Sequence, residues 1–155
     1  MSDPRFARDW LSAMADRPHG LIDTGAILAL LDEKDRWHSV CTAAFQYLPL
    51  PLATSVAVLT ELFHLVRKPR DAANAWGFLR SGAVTVLPIT ESDLLDLESL
   101  MYRYRDRPMD FADATLVHLA NRESLSLVFT VDHADFQTYR MGGKKPFRIV
   151  PEARP

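Results

Sequence analysis

The stretch HGLIDTGAILALLDE, residues 19–33, sets the pattern for the whole chain. Its first five residues, HGLID, are a short apolar run that ends at Asp23, and TGAILALLDE follows at once with helical character. The same alternation repeats outward from it. Strand-like runs stand at PLATS (51–55), AVTVLPI (83–89), LSLVFTV (125–131) and FRIV (147–150). Between them, apolar residues recur with a helical period. DRWHSVCTAAFQYL (35–48) places Trp37, Val40, Cys41, Ala44, Phe45 and Leu48 on that period, and SVAVLTELFHLVRK (55–68) reads as a second long helix, closed by basic residues before Pro69. DAANAWGFLRS (71–81) reads as a helix stopped at Gly82. TESDLLDLESLMYRYR (90–105) opens with Thr90 and Asp93 in capping-box spacing. MDFADATLVHLA (109–120) is an apolar helix whose start follows Pro108.

Strands alternating with helices predict a parallel sheet covered on both faces. The strands agree, because they are apolar runs rather than alternating ones, as buried parallel strands are. The expected fold class is α/β: a three-layer α/β/α domain with a central, mostly parallel sheet. In such sheets ligands bind at the carboxyl ends of the strands. No repeat, low-complexity tract or linker interrupts residues 19–155, which read as one domain. Residues 1–18 read as an N-terminal extension, an extra helical segment with Phe6, Trp10, Leu11 and Met14 on one face.

Composition narrows the function classes. The chain has 155 residues, 48% hydrophobic and 25% charged, enough to bury a core without staples. Its one cysteine, Cys41, allows no internal disulfide and sits in an apolar helical pattern, which points to packing rather than to a nucleophile. The start MSDPRFARDW lacks the apolar run of a signal peptide, and no stretch is apolar for long enough to cross a membrane, so a cytoplasmic protein is expected. A net charge of −2 argues against a strongly basic nucleic-acid binder. It leaves room for local basic clusters, which stand at RKPR (67–70), RYRDR (103–107) and RMGGKKPFR (140–148).

The acids are more specific. Asp23 and Asp132 each close a strand, where a site in this fold class belongs. Either one alone also suits a helix cap. Glu61 lies inside VAVLTELFHLV, apolar on nearly every side, and a helix apolar all round is buried. A buried carboxylate needs a partner or a cation. Asp110 and Asp113, three apart, share one face at the start of their helix. Asp110 is well explained as its N-cap, and Asp113 less well, since Glu or Gln serves better at that position. Asp23, Glu61, Asp113 and Asp132, from four segments, converging at one sheet edge would repel one another. They would need raised pKa values or a hard divalent cation. Oxygen-only donors favour Mg²⁺ or Mn²⁺ over zinc. An acid-rich site for such a cation belongs to phosphoryl-transfer chemistry.

Other chemistries fit less well. His64, three residues after Glu61 on the same face, reads as a core or edge residue, and His118 and His133 lack a second suitable ligand for zinc. Trp37, Phe45, Phe63, Trp76 and Phe78 fall at helical spacings that suit packing better than base stacking. GGKKP (142–146) is not a phosphate-binding loop. Gly25 stands where an aspartate-based phosphatase would carry its second Asp.

Four of these segments, in order, resemble the PIN-domain family. LIDTGAILALLDEKDRWH resembles its opening, TSVAVLTELFHLV its helical Glu segment, MDFADATLVHLA its third segment and VFTVDHADF its fourth. The match runs over roughly residues 20–150. It implies a PIN-like nuclease domain over 19–155 and a Mg²⁺- or Mn²⁺-dependent endoribonuclease. The nearest type is the single-domain toxin of bacterial type II toxin–antitoxin pairs. The resemblance implies that Asp23, Glu61 and Asp113 are core metal-binding acids and Asp132 the more variable fourth. Asp110 and Asp135 are secondary candidates, with Thr24 and Thr130 as supporting hydroxyls. Arg67, Lys68, Arg103 and Arg105 are the candidates for steering RNA. An antitoxin partner and a homodimer are expected from the family. The alternative is a non-catalytic PIN-like module that binds RNA or protein, for which four converging carboxylates serve no purpose.

Overall fold

Leu21–Ile22 forms strand β1, and the computed structural model, which describes residues 16–107 and 109–155, places it in the middle of a five-stranded sheet. The other members are β2 (Leu52–Thr54), β3 (Val84–Val86), β4 (Leu127–Phe129) and β7 (Arg148–Val150), in the order β3-β2-β1-β4-β7. Every pairing in this sheet is parallel, with Leu21 opposite both Ala53 and Val128. Leu21, Ile22, Leu52, Ala53, Val128 and Phe129 are fully buried, which is why these strands read as unbroken apolar runs. A short antiparallel hairpin, β5 (Arg140–Met141) with β6 (Lys145–Pro146), stands apart from the sheet.

The helices are α1 (Thr24–Leu31), α2 (His38–Phe45), α3 (Val56–Leu65), α4 (Pro69–Leu79), α5 (Leu94–Arg103), α6 (Phe111–Glu123) and α7 (His133–Thr138). α6 is buried without a break from Ala112 to Ala120 and packs against α3 and α5. The α/β/α layering and the parallel sheet are as expected. Chain order places the crevice. From β1 the chain builds outward through β2 to β3, then returns to add β4 on the other side of β1. The connections diverge beyond the carboxyl ends of β1 and β4, the position where such sheets take ligands.

Several expectations need correction. The helix foreseen over 35–48 is only His38–Phe45: Asp35 Oδ1 accepts from Trp37 N at 2.7 Å in a turn, and Pro49 disfavours helix at Leu48. The helix foreseen from Asp71 starts at Pro69, whose fixed φ and missing N–H suit a first helical turn. Thr90 and Asp93 do form the capping box, but on a 3₁₀ turn (Glu91–Asp93) that leads into α5. α3 is not buried all round. Val58 and Leu62 are its buried residues, whereas Val56 is 63% and Leu65 58% exposed. Apolar composition overstated its burial, and Glu61 is half-buried. α7 and the β5–β6 hairpin had no counterpart in the sequence reading. The helical segment expected over residues 1–18 lies, save for 16–18, outside the described residues.

Candidate active site

Asp23 follows β1 directly, and its backbone N–H continues the ladder by donating to Phe129 O at 3.0 Å. As the N-cap of α1 its Oδ1 accepts from Thr24 N at 2.7 Å, while Oδ2 accepts from Thr130 Oγ1 at 3.0 Å. Asp23 is 7% exposed. Burial pushes its pKa from an ordinary 3.8 to about 6 against these two hydrogen bonds, with Glu61 and Asp110 adding repulsion. Thr24 Oγ1 donates to Glu61 Oε2 at 2.8 Å, so one hydroxyl ties α3 to the start of α1.

Asp113 lies in the first turn of α6, also 7% exposed. Its backbone N–H donates to Asp110 Oδ1 at 2.8 Å, which makes Asp110 the N-cap, and its own Oδ2 accepts from Tyr139 Oη at 2.8 Å. Burial, then the charges of Asp23, Asp110 and Asp132, raise its pKa to about 8, while the Tyr139 hydrogen bond pulls the other way. Asp132 caps α7: its Oδ1 accepts from Asp135 N at 3.3 Å. Partial burial, Asp135 and Asp110 raise its pKa as well. Thr130 joins the two strand ends, since its Oγ1 donates to Asp23 and accepts from Asp132 N at 3.0 Å.

Asp23, Glu61, Asp110, Asp113 and Asp132 all border one cleft of about 400 Å³, together with Thr24, Gly25, Leu28, His64, Leu65 and Val131. No Lys or Arg among the described residues lines it. Gly25 stands at a close approach: a Cβ there would lie 2.5 Å from Val131 Cγ2, so the Val131 side chain or the backbone would have to shift. Asp135 is not among the lining residues, and its Oδ1 faces Arg107 Nε at 3.4 Å. Among the described residues no three His, Cys, Asp or Glu side chains already stand so as to hold a metal ion. The donor set nevertheless fits a hard divalent cation. It is all oxygen, it carries no compensating positive side chain, and each of its two buried members is held back from ionising partly by its neighbours' charge. Closing on a cation needs side-chain adjustment.

The basic candidates fall in two places. Arg67 and Lys68 are exposed just beyond the end of α3, and Lys68 lines a larger cleft of about 640 Å³ that meets the acidic one at Leu28 and Leu65. Arg103 and Arg105 lie at the end of α5: Arg103 lines a separate cleft beside Asp93 and His118, and Arg105 sits 4.2 Å from the Tyr102 ring. His118 is structural, with Nε2 2.9 Å from Asp93 Oδ1. His133 is buried against Trp37 with ring centroids 5.1 Å apart, and His64 is exposed at the acidic cleft. Sequence reasoning missed Tyr139 entirely, because nothing in DFQTYR signals where that hydroxyl points.

Comparison with known proteins adds three findings. The family model of the PIN domain matches residues 20–140. The chain is 26% identical over 134 residues to a protein of Mycobacterium tuberculosis named Ribonuclease VapC26, covering 84% of this chain and 99% of that protein. The crystal structure of VapC20 of the same species, a toxin that cleaves the sarcin–ricin loop, superposes with a TM-score of 0.68 at 24% identity, covering 87% of this chain and 98% of that one.

Proposed function

The chain belongs to the PIN-domain family, and from that premise we propose that it is a Mg²⁺- or Mn²⁺-dependent endoribonuclease that hydrolyses RNA phosphodiester bonds. The observation that carries this reading is the cleft with five carboxylates and, among the described residues, no lysine or arginine. An RNA phosphate is repelled from such a cleft unless a cation lies between them. Asp23, Glu61, Asp113 and Asp132 would hold that cation. When bound, it would neutralise charge on the phosphate and lower the pKa of a water. The chain's own groups do the rest. Thr24 donates to Glu61 and holds its carboxylate at the start of α1, while Thr130 donates to Asp23, favours its ionised form and ties it to the Asp132 backbone. Leu28, Leu65 and Val131 form the apolar part of the cleft wall. Lys68, with Arg67 beside it, would steer RNA through the adjoining cleft, and Arg103 and Arg105, which line neither of these two clefts, would contact it elsewhere on the surface.

The biological reading is the toxin of a type II toxin–antitoxin pair in the cytoplasm, with a protein antitoxin as partner. It is supported by the relatives named ribonuclease and toxin, which the chain matches over nearly their whole length. A homodimer is supported by apolar surface on α5, where Leu95 is 75% and Tyr102 67% exposed. No helix among the described residues is long and apolar enough to cross a membrane. The test is RNA cleavage with and without EDTA. We expect loss of cutting in EDTA and its recovery on adding Mg²⁺ or Mn²⁺. Equal cutting in EDTA, or full activity in Asp23→Ala, would sink the metal-dependent mechanism.

A further inference from the structure

Tyr139 ends α7 and is 1% exposed, yet it carries a hydroxyl into the interior. A buried phenol needs a hydrogen-bond partner. Here that partner is the Asp113 carboxylate, 2.8 Å away. Everything around Tyr139 keeps it in place. Its backbone N–H donates to Asp135 O at 3.0 Å, and the Arg140 guanidinium clamps the helix end by donating to Gln137 O and Tyr139 O. The Phe136 and Tyr104 rings pack edge-on at 5.3 and 5.1 Å, and Tyr104 Oη accepts from Arg140 N. The hydroxyl is a fixed point rather than a swinging group.

The terminal torsion of an aspartate is broad and roughly two-fold, so its two oxygens exchange places easily. A hydrogen bond from a fixed donor stops that exchange. We propose that Tyr139 is a positioning residue for the acidic cleft: by holding Asp113 through Oδ2 it keeps Oδ1 presented to a divalent cation. This rests on reading the cleft as a cation site. Among the described residues no donor meets Oδ1. α7 thereby serves the cleft from both ends, with Asp132 at its start and Tyr139 at its finish.

The test uses the full chain and Mn²⁺ alone as probe, with free Mn²⁺ counted by electron paramagnetic resonance at pH 8. Unfolding is followed in parallel, so that binding is read at a temperature where each variant is folded. Tyr139→Phe, which removes only the hydroxyl, is expected to bind Mn²⁺ about 10-fold more weakly, the effect usual for an outer hydrogen-bond partner of a ligand. Its RNA cleavage should recover as Mn²⁺ is raised. Tyr47→Phe loses a phenol hydroxyl at the surface, 86% exposed and not part of the acidic cleft, so its binding should match the parent. Equal weakening in both variants would show that the effect is not specific to the Tyr139 hydroxyl and overturn the proposal. Asp113→Asn reports on the cleft itself and should lose Mn²⁺. If it does while Tyr139→Phe binds like the parent, the role of Tyr139 is overturned and the cation site stands. If Asp113→Asn binds like the parent, the cation-site reading fails and the proposal with it.

Discussion

Asp110 and Asp113 open the same helix, and hydrogen bonding gives them different tasks. Asp110 spends one oxygen on the Asp113 N–H while its charge still presses on Asp23, Asp113 and Asp132. Asn caps a helix as well as Asp does. Asp110→Asn should therefore keep α6 intact, ease the repulsion and leave cleavage within about 10-fold of the parent. Asp113→Asn should behave oppositely in the two assays. Cleavage should fall by about 100-fold or more, beyond the loss of an outer partner. Without metal at pH 8, its melting temperature should rise by about 3 °C or more, since an acid held near neutral by burial and like charges is replaced by an amide. Calorimetry alongside a cleavage assay checks both. At this scale the sequence showed which residue types to look at, because Asp at a strand end or helix start has few roles. It did not show which oxygen meets which donor. That depends on the approach of segments such as Tyr139 and Asp113, which are far apart in the chain.

The junction of β1 with α1 shows why a small residue follows Asp-Thr. Alanine in a helix normally stabilises relative to glycine by about 1 kcal/mol. At position 25 the added Cβ would meet Val131 at 2.5 Å, so Gly25→Ala should instead destabilise by about 1–3 kcal/mol. Urea unfolding in a Val131→Ala background checks the cause: there the same substitution should be neutral or stabilising. At the far end of α6, Ser124 adopts left-handed geometry with φ 57°. Ser124→Gly should stabilise by about 0.5–1 kcal/mol in the same assay, with cleavage unchanged. α3 marks a limit of reading elements from composition. Its apolar run implied burial on all sides, whereas Val56 and Leu65, about half a turn apart around its axis, are both exposed. Hydrophobicity alone does not separate a core face from one left open for a partner. α7 escaped notice because HADFQT is too short and too polar to show a period.

Across the whole molecule, the parallel sheet was legible because buried strands leave unbroken apolar runs, and its carboxyl edge followed from that. Gathering acids there makes stability depend on pH and, if the cleft takes a cation as proposed, on metal as well. Asp23 and Asp113 have folded pKa values raised to about 6 and about 8. Their contribution to stability is full below the unfolded value near 4 and is lost as pH rises through those values. The metal-free melting temperature should thus fall by on the order of 5 °C between pH 5 and pH 9. Added Mg²⁺ should restore more of it at pH 8 than at pH 5, because binding only the folded state stabilises it. Scanning fluorimetry across pH, with and without Mg²⁺, checks this, and a flat profile would contradict the repulsive cleft. The order of strands has one more effect. β1 has β4 for a neighbour, and the Thr130–Asp23 hydrogen bond that joins the edge spans 107 residues. Until β4 slots in beside β1 there is no crevice to gather the acids. A chain still emerging from the ribosome holds its parts unassembled, so a site built this way cannot form until β4 and Asp132 have been made.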